Sequence, residues 1–205
     1  RKPATNLTQS GRREKTVYRY QRLDIEERYI DPAKDLILST FNEETKAAGF
    51  AKLSLKDGKL ARLIMTDARY GGLTKARRAD QLMFTRESFR EFPDVWVSDM
   101  NFVAPKRVTP ANPQMKNYHW GTVETMKWTS LDNIPLTGLL YKPEGFDPKK
   151  KYPMIVYFYE RESDNLHAYI PPTPLRSTIN RSTYVSDGYL VFVPDIVYKI
   201  GFPGE

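Results

Sequence analysis

Two near-continuous apolar runs constrain the second half of this 205-residue chain more than any other feature. The first is Met154–Tyr159; the second lies within Gly188–Asp195. Each is long enough for a strand and far too short to span a membrane. A long polar connection separates them. Apolar runs joined in this way predict parallel strands buried on both faces. Residues 176–188 have room for a short crossover helix that stops at Gly188, since glycine is favoured just past a last helical turn. Ahead of the runs, Val123–Thr129 and Ile134–Tyr141 read as the arms of a hairpin turning at Leu131–Asn133.

The first half has a different texture. Phe50, Lys52, Ser54 and Lys56 alternate with Ala51, Leu53 and Leu55, the period of a half-buried strand. Asp57-Gly58 is the sharpest hairpin signal, with Leu60–Met65 as the returning strand. β-Formers occur at Val17, Tyr18, Tyr20, Leu23 and Ile25, and further strands are expected at Asp35–Glu43, in "LTKARRAD", at Gln81–Ser88, around Val95–Val97 and, as a short edge, in "KRVTPANP". Short strands with turn signals at near-regular spacing indicate an all-β module. Two units of about four strands each fit propeller blades, and a plain β-sandwich fits the same periodicity. The texture changes near His119. The expected fold class is therefore β-propeller blades (all-β) over residues 1–118, followed by the beginning of an α/β sheet over residues 119–205.

Composition narrows the chemistry. There is no cysteine, so thiolate nucleophiles and cysteine-bound zinc are excluded within the chain. The two histidines are far apart, so no zinc spacing exists, and no EF-hand loop is present. No metal or other cofactor is expected. Gly71-Gly72 lacks the residues of a phosphate-binding loop and reads as a turn. The net charge is +7, and residues 1–22 hold seven cations against Glu14, which is +6 of it. With no nucleic-acid motif alongside, this end reads as a solvated surface segment rather than a nucleic-acid or membrane contact. A soluble protein of the bacterial periplasm or cytoplasm is expected, the compartment itself being open. The start, which is not a methionine, reads as a cut. Asn6-Leu7-Thr8 and Asn180-Arg181-Ser182 match the glycosylation pattern, which has meaning only in a eukaryotic secretory setting.

The stretch "LTGLLYKPEGFDPKKKYPMIVYFYE" resembles the entry into the catalytic domain of the prolyl oligopeptidase family of serine peptidases. There a strand ending in Tyr-x-Pro precedes a Phe-Asp-Pro turn and an apolar strand. "SDGYLVFVPDIVYKIGFPGE" resembles the family's next strand and the loop beyond it. The likeness covers residues 120–205 and extends to the first half only in texture. It implies a propeller followed by an α/β-hydrolase, short peptide substrates, and acyl-enzyme chemistry. The chain contains no Gly-x-Ser-x-Gly elbow, so the resemblance places the catalytic serine, aspartate and histidine outside it. The chain alone is then expected to be inactive, and to need the remainder of its protein to complete both domains.

On the same grounds Tyr159 matches the family's oxyanion-hole tyrosine, its hydroxyl donating to the oxygen that gains charge. In place of the family's small residues, Glu160-Arg161-Glu162 follow it. Glu160 and Arg161 are candidate contacts for a substrate terminus, with surface ion pairing as the simpler account. Ser163, Asp164 and His167 are triad types but lie too close in sequence to act as one, because a triad draws its members from separate elements. His119, beside Trp120, reads as a packing residue. "IPPTP" (Ile170–Pro174) reads as loop packing. The alternatives to a peptidase segment are a non-catalytic β-rich binding module and a nucleic-acid-binding β domain.

Overall fold

The computed structural model describes residues 3–173 and 178–202. Arg1 and Lys2 of the basic end, Pro174 of the proline run, Arg176 at the start of the expected helix, and Glu205 lie outside the described residues. The structure is mostly β-sheet with few helices. It divides into two compact units, one ending at Ala111 and the other beginning at Asn112.

The first unit holds two four-stranded antiparallel meanders. One is β1 (Thr16–Tyr20), β2 (Leu36–Asn42), β3 (Ala48–Leu53) and β4 (Leu60–Thr66), preceded by the single-turn helix α1 (Ser10–Arg13). The other is β5 (Arg69–Lys75), β6 (Gln81–Ser88), β7 (Glu91–Asp99) and β8 (Lys106–Arg107). Ile37 and Phe50 from the first sheet meet Leu82 and Phe84 from the second, with Phe102 closing the cluster. Phe50 stacks on Phe102 at 4.6 Å and meets Tyr70 edge-on at 5.4 Å. Burying each such side chain contributes about 1.5–3 kcal/mol. Close approach of β3 to β4 requires Gly49, whose missing Cβ would lie 1.9 Å from the Ile64 carbonyl oxygen. The buried Asp94 carboxylate accepts from Thr109 Oγ1 at 2.7 Å and from the Ala111 amide at 2.9 Å, tying the end of the unit to β7.

Most expected strands form where hydrophobic spacing put them, and Gln81–Ser88 coincides in full. Several expectations need correction. The alternating stretch Phe50–Lys56 is strand only as far as Leu53, because Ser54 and Lys59 close a turn. "LTKARRAD" contributes only its start to β5, because the Ala76 amide bonds the Gln81 carbonyl and residues 77–80 form the turn. Gly71-Gly72 is no turn between strands but lies inside β5, at a register shift against β6, with Gly72 at φ +61°. The Asp57-Gly58 hairpin is present with a wider loop than two residues: Ser54 and Lys59 close it, and Gly58 sits at φ +70°.

The second unit is a mixed sheet. β9 (Thr122–Thr129) and β10 (Pro135–Lys142) form the expected hairpin, turning through Asn133 at φ +60°. β11 (Met154–Val156) and β12 (Leu190–Pro194) are parallel, and the sheet order is β11-β12-β10-β9. The helix α2 (Arg181–Ser186) lies between β11 and β12 in sequence, with Gly188 at φ +88° just beyond it. Leu139, Val191, Val193 and Val185 are fully buried. The parallel pairing was legible, but the burial of the first run was not. β12 lies between two neighbours and is buried on both faces, whereas β11 is the edge strand, with Met154 and Val156 half exposed. The sheet pairing of the run also ends early: three residues form the strand, and Tyr157 adds one last bond to Phe192.

Asn180 caps α2. Its Oδ1 accepts from the Thr183 amide at 3.0 Å and from the Ser182 and Thr183 hydroxyls, while its Nδ2 donates to the Pro171 and Thr173 carbonyls. The carboxamide is buried and all its bonding capacity is taken, so this sequon is a helix cap in the folded chain. Among the described residues no helix is long and apolar enough to cross a membrane.

Candidate active-site loop

In open sheets with parallel strands, ligands bind outside the carboxyl ends of those strands. Here that end is formed by the segments following β11 and β12. One backbone bond and one side-chain carboxylate join them. The Ile196 amide donates to the Glu160 carbonyl at 3.0 Å. The Asp195 Oδ1 accepts from the Glu162 and Ser163 amides, both at 2.8 Å. A short 3-10 turn, Ser163–Asn165, follows.

Every charge in the loop meets a partner from its own unit. The Tyr198 hydroxyl donates to Glu160 Oε1. Arg161 pairs with Asp164 at 3.1 Å on the exposed surface. Glu162 pairs with Arg181 at 2.8 Å, and both side chains are mostly enclosed. Asn165 Nδ2 adds a 3.3 Å bond to the same Glu162 oxygen. The Arg181 guanidinium in turn lies over the rings of Tyr157 (5.5 Å) and Tyr141 (5.9 Å). Burial pushes the Tyr141 hydroxyl up to about 12, with the Arg181 charge opposing and the Glu162 charge adding. The bond to Glu160 raises the Tyr198 hydroxyl above its ordinary value.

Tyr159 stands at the rim of this loop, 70% exposed, just after the last pairing of β11 with β12. Its phenol is a donor available to an incoming group. Glu160 and Arg161 stand beside it. Ser163 is buried at 1% exposure, so its hydroxyl cannot meet a substrate, and Asp164 faces Arg161 rather than Ser163. His119 lines a separate cleft of about 460 Å³ with Trp120, Tyr169 and Ser182. There Trp120 stacks on Tyr169 at 5.2 Å. Neither Tyr159, Glu160 nor Arg161 lines that cleft.

No family model matches the chain, and no curated protein does. Solved structures do. The ligand-free AtxE2 isopeptidase aligns over 86% of this chain and 25% of its own, with a TM-score of 0.59 at 13% identity. The Pyrococcus horikoshii acylaminoacyl peptidase aligns over 78% of this chain and 23% of its own, with a TM-score of 0.57 at 15% identity. The Porphyromonas gingivalis dipeptidyl peptidase 4 aligns over 81% and 23%, with a TM-score of 0.60 at 17% identity. Its structural neighbours are enzymes of the prolyl oligopeptidase family. At these identities the likeness is one of fold, and the chain spans about a quarter of the length of the structures it matches.

The sequence reading named Tyr159, Glu160 and Arg161 on this loop, Tyr159 from the family resemblance, and missed Asp195, Arg181 and the anchoring role of Glu162. One signal was present for Asp195: it is the first charged residue after the apolar run, where a strand's carboxyl end emerges. Arg181 left none, because its partner lies 19 residues away.

Proposed function

We propose that this chain is a segment of a serine peptidase that hydrolyses short peptides through an acyl-enzyme. On this reading the first unit supplies blades of a β-propeller, and the second supplies the opening strands of an α/β-hydrolase domain. The nucleophilic serine, its histidine base and the aspartate come from parts of the protein outside this chain. The serine oxygen attacks the peptide carbonyl carbon while the histidine takes its proton. The carbonyl oxygen becomes an oxyanion, and the Tyr159 hydroxyl donates a hydrogen bond to it. The oxyanion then collapses, the amine leaves with the proton, and water releases the acyl group. Glu160 and Arg161 are the charged groups a peptide terminus would meet on that rim.

One observation carries the reading: an exposed tyrosine at the carboxyl end of β11, on a loop joined to the segment after β12, in a sheet ordered β11-β12-β10-β9. A hydroxyl donor presented beside the ends of parallel strands suits a charge that develops only during reaction. The fold likeness to peptidases supports the same reading.

The test uses the full-length protein. A fluorophosphonate probe is expected to label one serine, and that serine is not Ser163. Tyr159→Phe should lower kcat by roughly 10²–10³-fold with little change in KM, the loss seen for one oxyanion donor. A folded full-length protein that takes up no probe and cleaves no short peptide would overturn the peptidase reading in favour of a β-rich binding module.

A further inference from the structure

The Glu162–Arg181 pair differs from two other ion pairs among the described residues of the second unit. Arg161–Asp164 is open to solvent on both sides, and Lys142–Glu124 is half open on the Glu124 side. Glu162 and Arg181 are 20% and 16% exposed. Enclosing two charges carries a desolvation cost that surface pairs avoid. Arg181 also occupies the first turn of α2, the end where a helix disfavours a cation. Neither placement serves the helix itself, whose cap is supplied by Asn180.

The arrangement does serve the loop. Arg181 reaches the loop through Glu162, the residue after β11 through the Tyr157 ring, and the sheet interior through the Tyr141 ring on β10. Tyr159 lies between Tyr157 and Glu162 in sequence. Its backbone is therefore held on one side by the sheet and on the other by this pair and Asp195. A guanidinium can make this junction because it is planar, stacks on rings and keeps its charge.

We propose that Arg181 is a positioning residue, which acts through Glu162 and Tyr157 to fix the loop that presents the Tyr159 hydroxyl. This rests on the peptidase reading for its catalytic consequence, but its structural content is independent of it. The pair sets where the donor sits; it touches no substrate.

The experiment uses the full-length protein and two readouts. The first is amide hydrogen exchange over residues 160–166, where the Glu162, Ser163, Asn165 and Leu166 amides are bonded. The second is the split of kcat from KM on a short peptide. Glu162→Gln and Arg181→Lys are compared with wild type, and Lys142→Gln serves as a control that breaks a different pair. The expected result is faster exchange at residues 160–166 in both loop variants and in neither wild type nor Lys142→Gln. Alongside it kcat should fall by roughly 100-fold, as a misplacement of about 1 Å does, with KM within about twofold. Wild-type exchange in a folded Glu162→Gln or Arg181→Lys overturns the proposal. So does global unfolding of both, which would make the pair a core element. Loss of exchange protection in a protein whose wild type cleaves nothing would sustain the positioning role and remove the peptidase reading.

Discussion

Asp195 Oδ1 accepts hydrogen bonds from two consecutive backbone amides, Glu162 N and Ser163 N, each at 2.8 Å. A carboxylate so placed gathers the loop after β11 onto the end of β12. Bonds to a charged acceptor contribute about 1.5–3 kcal/mol each, and an amide left without one bears its desolvation cost. Asp195→Ala is expected to destabilise the protein by about 3 kcal/mol, read as a lowered urea midpoint. Asp195→Asn keeps an acceptor oxygen and should lose about half as much. An Ala variant with a wild-type midpoint would show that the contact contributes nothing.

The cap of α2 gives a second expectation. Asn180 Oδ1 and Nδ2 together take part in five bonds, two of them to carbonyls of residues 171 and 173. Loss of an N-cap costs about 0.5–2 kcal/mol. Asn180→Ala should reach the upper end of that range, because the Pro171 and Thr173 carbonyls lose their donor too. Asn180→Asp keeps the cap acceptor but not the donor, and should fall between the two. Thermal unfolding followed by circular dichroism reads both. The folded protein should also resist glycan transfer at Asn180, whereas the exposed Asn6 has no such protection.

How much of this was legible in the residues depends on whether the cause is local. Alternation located the Phe50–Leu53 part of β3, the Asp57-Gly58 turn signal located β4, and Gln81–Ser88 was recognised to the residue, because face pattern and turn chemistry are written in neighbouring positions. The parallel β11–β12 pair was legible from a different signal, two apolar runs separated by a long polar connection. What was missed depends on position within the sheet. Met154–Tyr159 is apolar enough for a core strand, yet one of its faces is uncovered in this unit, with Met154, Val156 and Phe158 exposed and Ile155 and Tyr157 partly buried between them. The glycine pair in β5 was misread because a bulge and a turn draw on the same backbone freedom. In the loop, Tyr159 was identified from a family resemblance and not from spacing. The Arg181–Glu162 contact was invisible because sequence carries no record of which distant charge a loop will meet.

Tyr141 gives the chain a stability term that appears only at alkaline pH. Burial raises its hydroxyl from 10 to about 12. Below pH 10 the phenol is neutral in both the folded and unfolded states, so ionisation leaves stability unchanged. Between pH 10 and about 12 the unfolded chain releases this proton while the folded one retains it, and stability falls as pH rises. Two pKa units correspond to about 3 kcal/mol in all. Denaturant midpoints measured across that window should therefore drop more steeply in wild type than in Tyr141→Phe. Equal slopes would mean that this hydroxyl ionises as freely in the fold as in the unfolded chain.

Gly121, just ahead of β9, answers for two constraints at once. Its φ is +74°, a conformation that costs side-chain-bearing residues about 1–3 kcal/mol. A Cβ there would also stand 2.3 Å from the Lys142 carbonyl oxygen and 2.4 Å from Val185 Cγ1. The first neighbour is backbone of β10 and cannot turn aside. The second belongs to Val185 of α2, which is fully buried. Relief would have to come from moving the start of β9 away from β10 or α2 away from the sheet. Gly121→Ala should thus cost about 3 kcal/mol or more, combining strain with overpacking. Gly145, at φ +68° with nothing within 4 Å of its missing Cβ, isolates the backbone contribution. Gly145→Ala should cost only the first part, about 1–3 kcal/mol. The difference between the two urea midpoints measures the close packing at Gly121, and equal losses would mean that α2 and β10 yield there without cost.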